Sequence, residues 1–482
     1  MKDGFEISRR DFFVRTGTMG AALALAGKVI FPGWGPQGEA GSVDIKKLCA
    51  GISDPEIRAG VEAAILKNIL PAVVETAYPG YFWITADGKA FGDDATWPGL
   101  DSWQMAGAYL LLGRLRLVQD YFDFVKSSQK KDGDIPFAIF PAEPKPDTST
   151  FLRGLHYPED IFTYMAGARE GRPASRPYPT RKWIGLFDHW VPKANPLSAL
   201  GPVSYILTAG EIAIAADQTD WLKGMLPSIE RAADYLLGLK SANGLISGSG
   251  FYMENPPRYG WDGVTQCYVV HAFRDLARLF HAAGDSAKAE SWSGHADRLA
   301  EAFTSAFWRD DHFAEYIHAE RGLVDSHGLS DVNWAAVAFG VAADRHLSAL
   351  WPRLMKERAF WLGDMPTQTV TKPFSYETWE QGGPVPFSDM SRLYDVAAMG
   401  RVWFLEATAC LRMKEYGRLV DSVRKVCRAG LATGGFWYER YHPRADGTII
   451  PRGPKGYCEY PAILTRIVLG NPGLFSSTGV SP

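Results

Sequence analysis

One pattern constrains this chain more than any other. Beyond residue 50, segments that are apolar, small or aromatic on every face alternate with segments charged on one face only. The uniform segments start at Asp101, Leu197, Asp262, Ser330, Ser388 and Glu459. A helix without a polar face has to be buried all round. The one-faced segments span 54–70, 115–130, 217–239, 286–308, 343–357 and 413–431, with the spacing of helices that cover a core on one side. Six buried helices alternating with six half-exposed ones predict an all-α fold, an (α/α)6 toroid of an inner ring inside an outer ring. Residues 41–482 are expected to form that single ring. Alternation also starts every inner helix at the same rim, so the loops leading into them converge there, with room for short strands. These loops concentrate Trp, Gly, Pro and carboxylates.

The first forty residues read as an address. Ser8-Arg9-Arg10-Asp11-Phe12-Phe13 precede a weakly apolar run at 19–26, and Gly38-Glu39-Ala40 offers small residues for cleavage. This is the pattern of a twin-arginine signal peptide, which predicts engagement of the twin-arginine export machinery and a periplasmic or secreted mature protein. The run is too short to cross a bilayer, and no stable membrane span is expected. Gly33 to Gly38 fits GxGxxG in letters only, with no strand before it.

The net charge of −3 provides no basic excess for phosphate, so nucleic acid is not an expected partner. Five widely spaced cysteines without a CxxC suggest buried free thiols, and no metal or cofactor motif, GxSxG or P-loop occurs. Aromatic residues reach 13%, with 16 Trp. Aromatic planes fill cores but also stack on sugar rings, which makes carbohydrate the partner to test.

Two rim loops carry candidate chemistry. In 256–263, Asp262 reads either as the N-cap of a buried helix or as a carboxyl walled by Tyr259 and Trp261, whose desolvation favours a general acid. In 433–443, Glu439 reads as a surface partner of Arg440 or as a base that activates water. The two are far apart in sequence, and only a closed ring brings them together. Asp101-Ser102-Trp103-Gln104 also reads as a capping box. His271 and Asp275, one helical turn apart, read as packing or a helix-surface hydrogen bond.

The order of these motifs resembles a family. Asp101-Ser102-Trp103, Gly260-Trp261-Asp262, Glu439-Arg440-Tyr441 and Gly456-Tyr457-Cys458-Glu459-Tyr460-Pro461 are similar to the WDSY, GWD, EKYD and GGEYP blocks of trehalases in glycoside hydrolase family 37. Thr378-Trp379-Glu380-Gln381-Gly382-Gly383-Pro384-Val385 resembles the YWRGPVW stretch of family 63, which holds processing α-glucosidases and glucosylglycerate or mannosylglycerate hydrolases. The resemblance spans about residues 92–470. It implies an exported, inverting, trehalase- or α-glucosidase-like glycoside hydrolase of six-hairpin fold, acting on an α-glycosidic bond. Asp262 falls on the general acid and Glu439 on the general base. Trp97, Asp101, Trp103, Trp261, Trp379, Glu380, Tyr441 and Glu459 fall where the sugar is held. After GWD the trehalase Phe-Ser-Ser-Arg is replaced by Gly263-Val264-Thr265-Gln266, which removes support for trehalose itself. Trp97, Trp103, Trp261, Trp379 and Trp437 are expected around one mouth. Two other readings keep the ring: a polysaccharide lyase or unsaturated-uronide hydrolase, and a non-catalytic periplasmic sugar-binding protein.

Overall fold

The computed structural model describes residues 43–73, 82–88, 96–99, 101–126, 129–135, 138–141, 183–187, 198–215, 219–248, 251–253, 256–380 and 395–476. The signal peptide expected at 1–40 lies outside the described residues, as does the inner-helix start expected at Ser388. Among the described residues, twelve helices build the ring. The outer ones are α1 Pro55–Ala63 (prolonged by a π-helical stretch, Ala64–Ile69), α3 Leu115–Lys126, α5 Thr219–Gly238, α7 Ser286–Phe307, α9 Asp344–Lys356 and α11 Tyr416–Ala432. The inner ones are α2 Ser102–Leu111, α4 Leu200–Ala215, α6 Gly263–Ala282, α8 Asp331–Ala338, α10 Gly400–Met413 and α12 Glu459–Gly470. Inner helices touch in the order α2, α4, α6, α8, α10, α12, and α12 returns to α2. The ring is closed.

Burial follows the sequence pattern. Every residue of α2 and of α8 is buried. Outer α9 buries only His346, Leu350 and Leu354, a single stripe at four-residue spacing. Asp54 caps α1 by accepting from the N–H groups of Glu56 and Ile57 at 2.9 and 3.2 Å. The boundary between α10 and α11 differs from expectation. Met413 belongs to the inner helix, because Lys414 adopts a left-handed φ of 60° and stops it there. The start of α10 differs too: it begins at Gly400, because Ala398–Met399 is held as a strand.

Short strands occupy the rim as antiparallel pairs. β1 Ala138–Pro141 pairs with β2 Trp183–Phe187. β3 Trp261–Asp262, β4 Tyr316–His318 and β5 Gly322–Val324 form one sheet, with Asp262 opposite Tyr316. β6 Ala398–Met399, β7 Tyr438–Pro443 and β8 Ile449–Lys455 form another. β3 leads directly into α6, and β6 into α10, so each sheet fixes where an inner helix begins. All five cysteines are free and buried. Among the described residues, no helix is long and apolar enough to cross a membrane.

Candidate active site

Ring closure assembles one polar cluster where α2, α10 and α12 begin. Asp101 stands at the N-cap of α2, but its side chain makes no capping bond. Instead, Tyr457 Oη donates to its Oδ2 at 2.6 Å. Glu459, the first residue of α12, accepts from Arg401 Nε at 2.9 Å. Gly400 makes this approach possible, since a Cβ there would lie 2.7 Å from Glu459 Cγ. Asp101 Oδ1, Glu459 Oε2 and Arg401 Nη2 are buried without a hydrogen-bond partner among the described residues. Burial pushes the Glu459 carboxyl well up against the pull of Arg401, and the adjacent Asp101 adds to the rise. As two carboxylates, Asp101 and Glu459 have only acceptors to offer each other.

Arg401 extends the cluster. Its guanidinium lies 4.9 Å over the Tyr252 ring, and its Nη2 is 3.9 Å from Glu439 Oε1. Glu439, on β7, is buried and also ion-paired with Arg440. Gly453 on β8 leaves the space it fills: a Cβ there would stand 2.7 Å from Glu439 Cβ. Tyr441 is buried nearby, its hydroxyl accepting from Tyr438 N at 3.1 Å. Trp103 is the floor of this region. Its Nε1 donates to Tyr252 Oη at 3.1 Å, and the Arg466 guanidinium sits 4.9 Å from its ring. Beyond it, a cavity of about 20 Å³ lined by Glu211, His271, Asp275 and Arg278 has room for roughly one water.

A second cluster surrounds Asp262. Its Oδ1 accepts from Arg258 Nη1 at 2.7 Å. Its Oδ2 accepts from Thr265 N at 2.6 Å, Thr265 Oγ1 at 2.8 Å and Phe251 N at 3.2 Å. Asp262 therefore does cap α6. Arg258, fully buried, also donates from Nε to Glu315 at 2.9 Å and from Nη2 to Asp331 at 2.7 Å. His327 bridges Glu315 and Glu380 at 2.6 and 3.1 Å. Burial opposes the His327 charge, yet the two carboxylates hold it up at about 9. Burial pushes Glu315 up, but Arg258 and His327 pull it down further, to about 2. The Phe251–Tyr252 step joins the clusters: Phe251 N reaches Asp262, while the Tyr252 ring lies under Arg401.

The tryptophans do not line one mouth. Trp97 and Trp437 are fully buried, and Trp437 Nε1 donates to Val426 O of α11 at 2.9 Å. Trp261 and Asp262 are successive residues of β3 and point to opposite faces. Tyr259 meets His318 edge-on, and Trp261 Nε1 bonds Ser241 Oγ at 3.0 Å. The wall around the Asp262 carboxyl is ionic, not aromatic. Trp379 lies at the rim with Arg321 4.3 Å over its ring. Glu380, buried, accepts from Tyr316 Oη at 2.8 Å as well as from His327. The ring thus gathers Asp101, Trp103, Glu439, Tyr441 and Glu459, while Trp261, Trp379 and Glu380 belong to the neighbouring Asp262 side.

Residues 96–445, well over half of the chain, match the family described as the mannosylglycerate hydrolase MGH1-like glycoside hydrolase domain. The chain belongs to this glycoside hydrolase family. Its fold is shared with a family 78 rhamnosidase of a Bacillus species (15% identity, TM-score 0.56, 87% of this chain). It is also shared with a Klebsiella oxytoca rhamnosidase with rhamnose bound (13%, 0.58, 88%). A third is the family 63 mannosylglycerate hydrolase of Thermus thermophilus in complex with glucose (14%, 0.54, 86%). The match covers 35% of the Bacillus protein and 66% of the Klebsiella one, but 99% of the Thermus one. No curated protein matches the sequence.

In this glycoside hydrolase domain, Arg258, Glu315, His327, Asp331 and Arg401 escaped the sequence reading. Two signals could have found them. Arg401 is a charge in the first turn of a largely buried helix, and a buried charge has to be paired. Asp331 stands at the start of a wholly buried run, as Asp101 and Asp262 stand at the starts of largely buried ones. Glu315 and His327 carry no such mark.

Proposed function

We propose that this protein is an exported, inverting hydrolase of an α-glycosidic bond in an oligosaccharide or glycoside. The observation that carries the reading is the Asp101–Glu459–Arg401–Glu439 cluster. It is buried and polar, it is built from chain segments that only ring closure unites, and it holds polar atoms without a hydrogen-bond partner among the described residues. Sugar hydroxyls, each both donor and acceptor, are the ligands such a set suits. Glu439 is the base that takes a proton from water, and Asp262 is the acid that protonates the leaving oxygen as water attacks the opposite face. Asp101, Glu459, Trp103 and Tyr441 hold the ring at the cleaved bond, with Trp97 supporting from the core. Trp261, Trp379 and Glu380 shape the Asp262 side. The trehalase-like motif order supports these roles, and the twin-arginine pattern supports export to the periplasm or beyond.

The test is a screen of residues 41–482 against aryl α- and β-glycosides, disaccharides and glycosylglycerates, with Asp262→Asn and Glu439→Gln alongside. Hydrolysis lost in both variants is the expected result, and full activity in either refutes the pair. Proton NMR of the first-formed sugar should show the opposite anomer, and a retained anomer refutes inversion. An absorbing C=C product would instead identify a lyase.

A further inference from the structure

We infer that Tyr252 is a positioning residue for sugar binding: it fixes the Trp103 indole and the Arg401 guanidinium, so that the indole meets a sugar with its ring rather than its N–H. The inference rests on the proposed sugar site and deepens it. Tyr252 lies in the loop before β3 and is buried. Its Oη accepts from Trp103 Nε1 at 3.1 Å. The Arg401 guanidinium stands 4.9 Å from its ring, and Arg401 in turn meets Glu459 and Glu439. Burial, and then the adjacent Asp101, push the Tyr252 hydroxyl up, so it faces Trp103 uncharged. One side chain thus touches two of the groups placed around the sugar.

The backbone supplies a second, independent observation. Tyr252 has a left-handed φ of 66°, and among the described residues the only other non-glycine there is Lys414, at an exposed helix end. A bulky side chain takes this region only where its surroundings hold it, and such strain collects at binding sites. Phe251 stacks on Tyr268 of α6 at 4.0 Å, and its N–H reaches Asp262 at 3.2 Å. The left-handed turn at the next residue sets the Tyr252 ring edge-on to Phe251 at 4.7 Å and under Arg401. With its N–H spent on Tyr252, Trp103 has only a ring face to give, which suits the C–H face of a pyranose. The sugar hydroxyls are left to Asp101 and Glu459. Without the Tyr252 oxygen, the buried indole N–H would lose its acceptor and the ring would turn toward another.

The test is steady-state kinetics of Tyr252→Phe, Trp103→Phe and the double variant on the aryl glycoside that the wild type cleaves, with binding of glucose, mannose and rhamnose followed by calorimetry. Tyr252→Phe should raise KM and the sugar Kd about tenfold, with kcat within about threefold of the wild type. Trp103→Phe should raise them at least as far, and the double variant no further than Trp103→Phe alone, since both remove one contact. Unchanged KM and Kd in Tyr252→Phe, or fully additive effects, overturn the inference, as does a loss of kcat or of melting temperature alone. Tyr252→Gly should melt about 1–2 °C above Tyr252→Ala, because only glycine takes the left-handed turn freely, and the reverse order overturns the strain. Full activity in Glu439→Gln overturns the function beneath the inference, while the binding arm, which needs no hydrolysis, still decides the role of Tyr252. A wild type that binds none of the three sugars overturns the sugar site and the role of Tyr252 with it.

Discussion

Asp101 and Asp262 hold equivalent places, each preceding an inner helix at the same rim, yet their surroundings differ. Asp262 caps its helix and takes four donors, Arg258 among them. Asp101 leaves its helix uncapped, bonds Tyr457 and keeps Oδ1 without a partner among the described residues. The same local signal thus serves two ends. Around Arg258 the carboxyl groups are matched from within, and around Arg401 polar atoms stay unmet among the described residues. An unmet buried group costs stability, and such a cost is tolerable where a ligand removes it. The comparison teaches that N-cap propensity locates a rim carboxylate, while the loops that cross it determine its work.

Glu439→Gln is the sharpest test. Loss of the base should lower kcat by about 10²–10⁴ with little change in melting temperature, as Glu439 sits on the incompletely satisfied side. A variant that melts early and keeps its kcat would invert the comparison. Arg258→Met should cost about 3–5 kcal/mol in urea unfolding, because it leaves Asp262, Glu315 and Asp331 uncompensated. A cost near zero would mean the Arg258 cluster does not hold the rim.

Matched substitutions at the two aspartates come next. Asp262→Asn should destabilise by about 1–3 kcal/mol through its buried bonds. Asp101→Asn should leave the melting temperature unchanged or raise it, since it removes one of two crowded carboxyl groups, and should raise KM. Equal stability losses would erase the distinction. The smallest effect concerns pH. His327 is held up at about 9 in the fold against an ordinary 6.5. Its contribution is therefore fully present below pH 6.5 and lost as pH rises through 9. The melting temperature of the wild type should decline across that window, and His327→Gln should flatten the decline.

Much of this was legible in the sequence because the ring imposes a strong local rule. Ten consecutive buried residues in α2 are written with apolar and small side chains, Gln104 excepted, and α9 needs just one stripe. The α10 start was misread because its boundary is not local: Ala398–Met399 pairs with Tyr441 and Arg440, some forty positions on. The five-indole mouth failed for a related reason. Lying in or beside a rim loop says nothing about which way an indole turns, and Trp261 and Trp437 turn to Ser241 and Val426.

The sequence by itself determined the alternation of buried and half-exposed helices, the common rim, and Asp101, Asp262, Glu439 and Glu459 as carboxylates upon it. Periodicity and capping are properties of neighbouring residues, so they survive in a linear reading. Only the tertiary structure decided which carboxylates share which guanidinium. Arg258 reaches Glu315 and Asp331, and Arg401 stands between Glu459 and Glu439. These pairings arise where the closing ring brings distant loops together in a medium too dry to leave a charge alone.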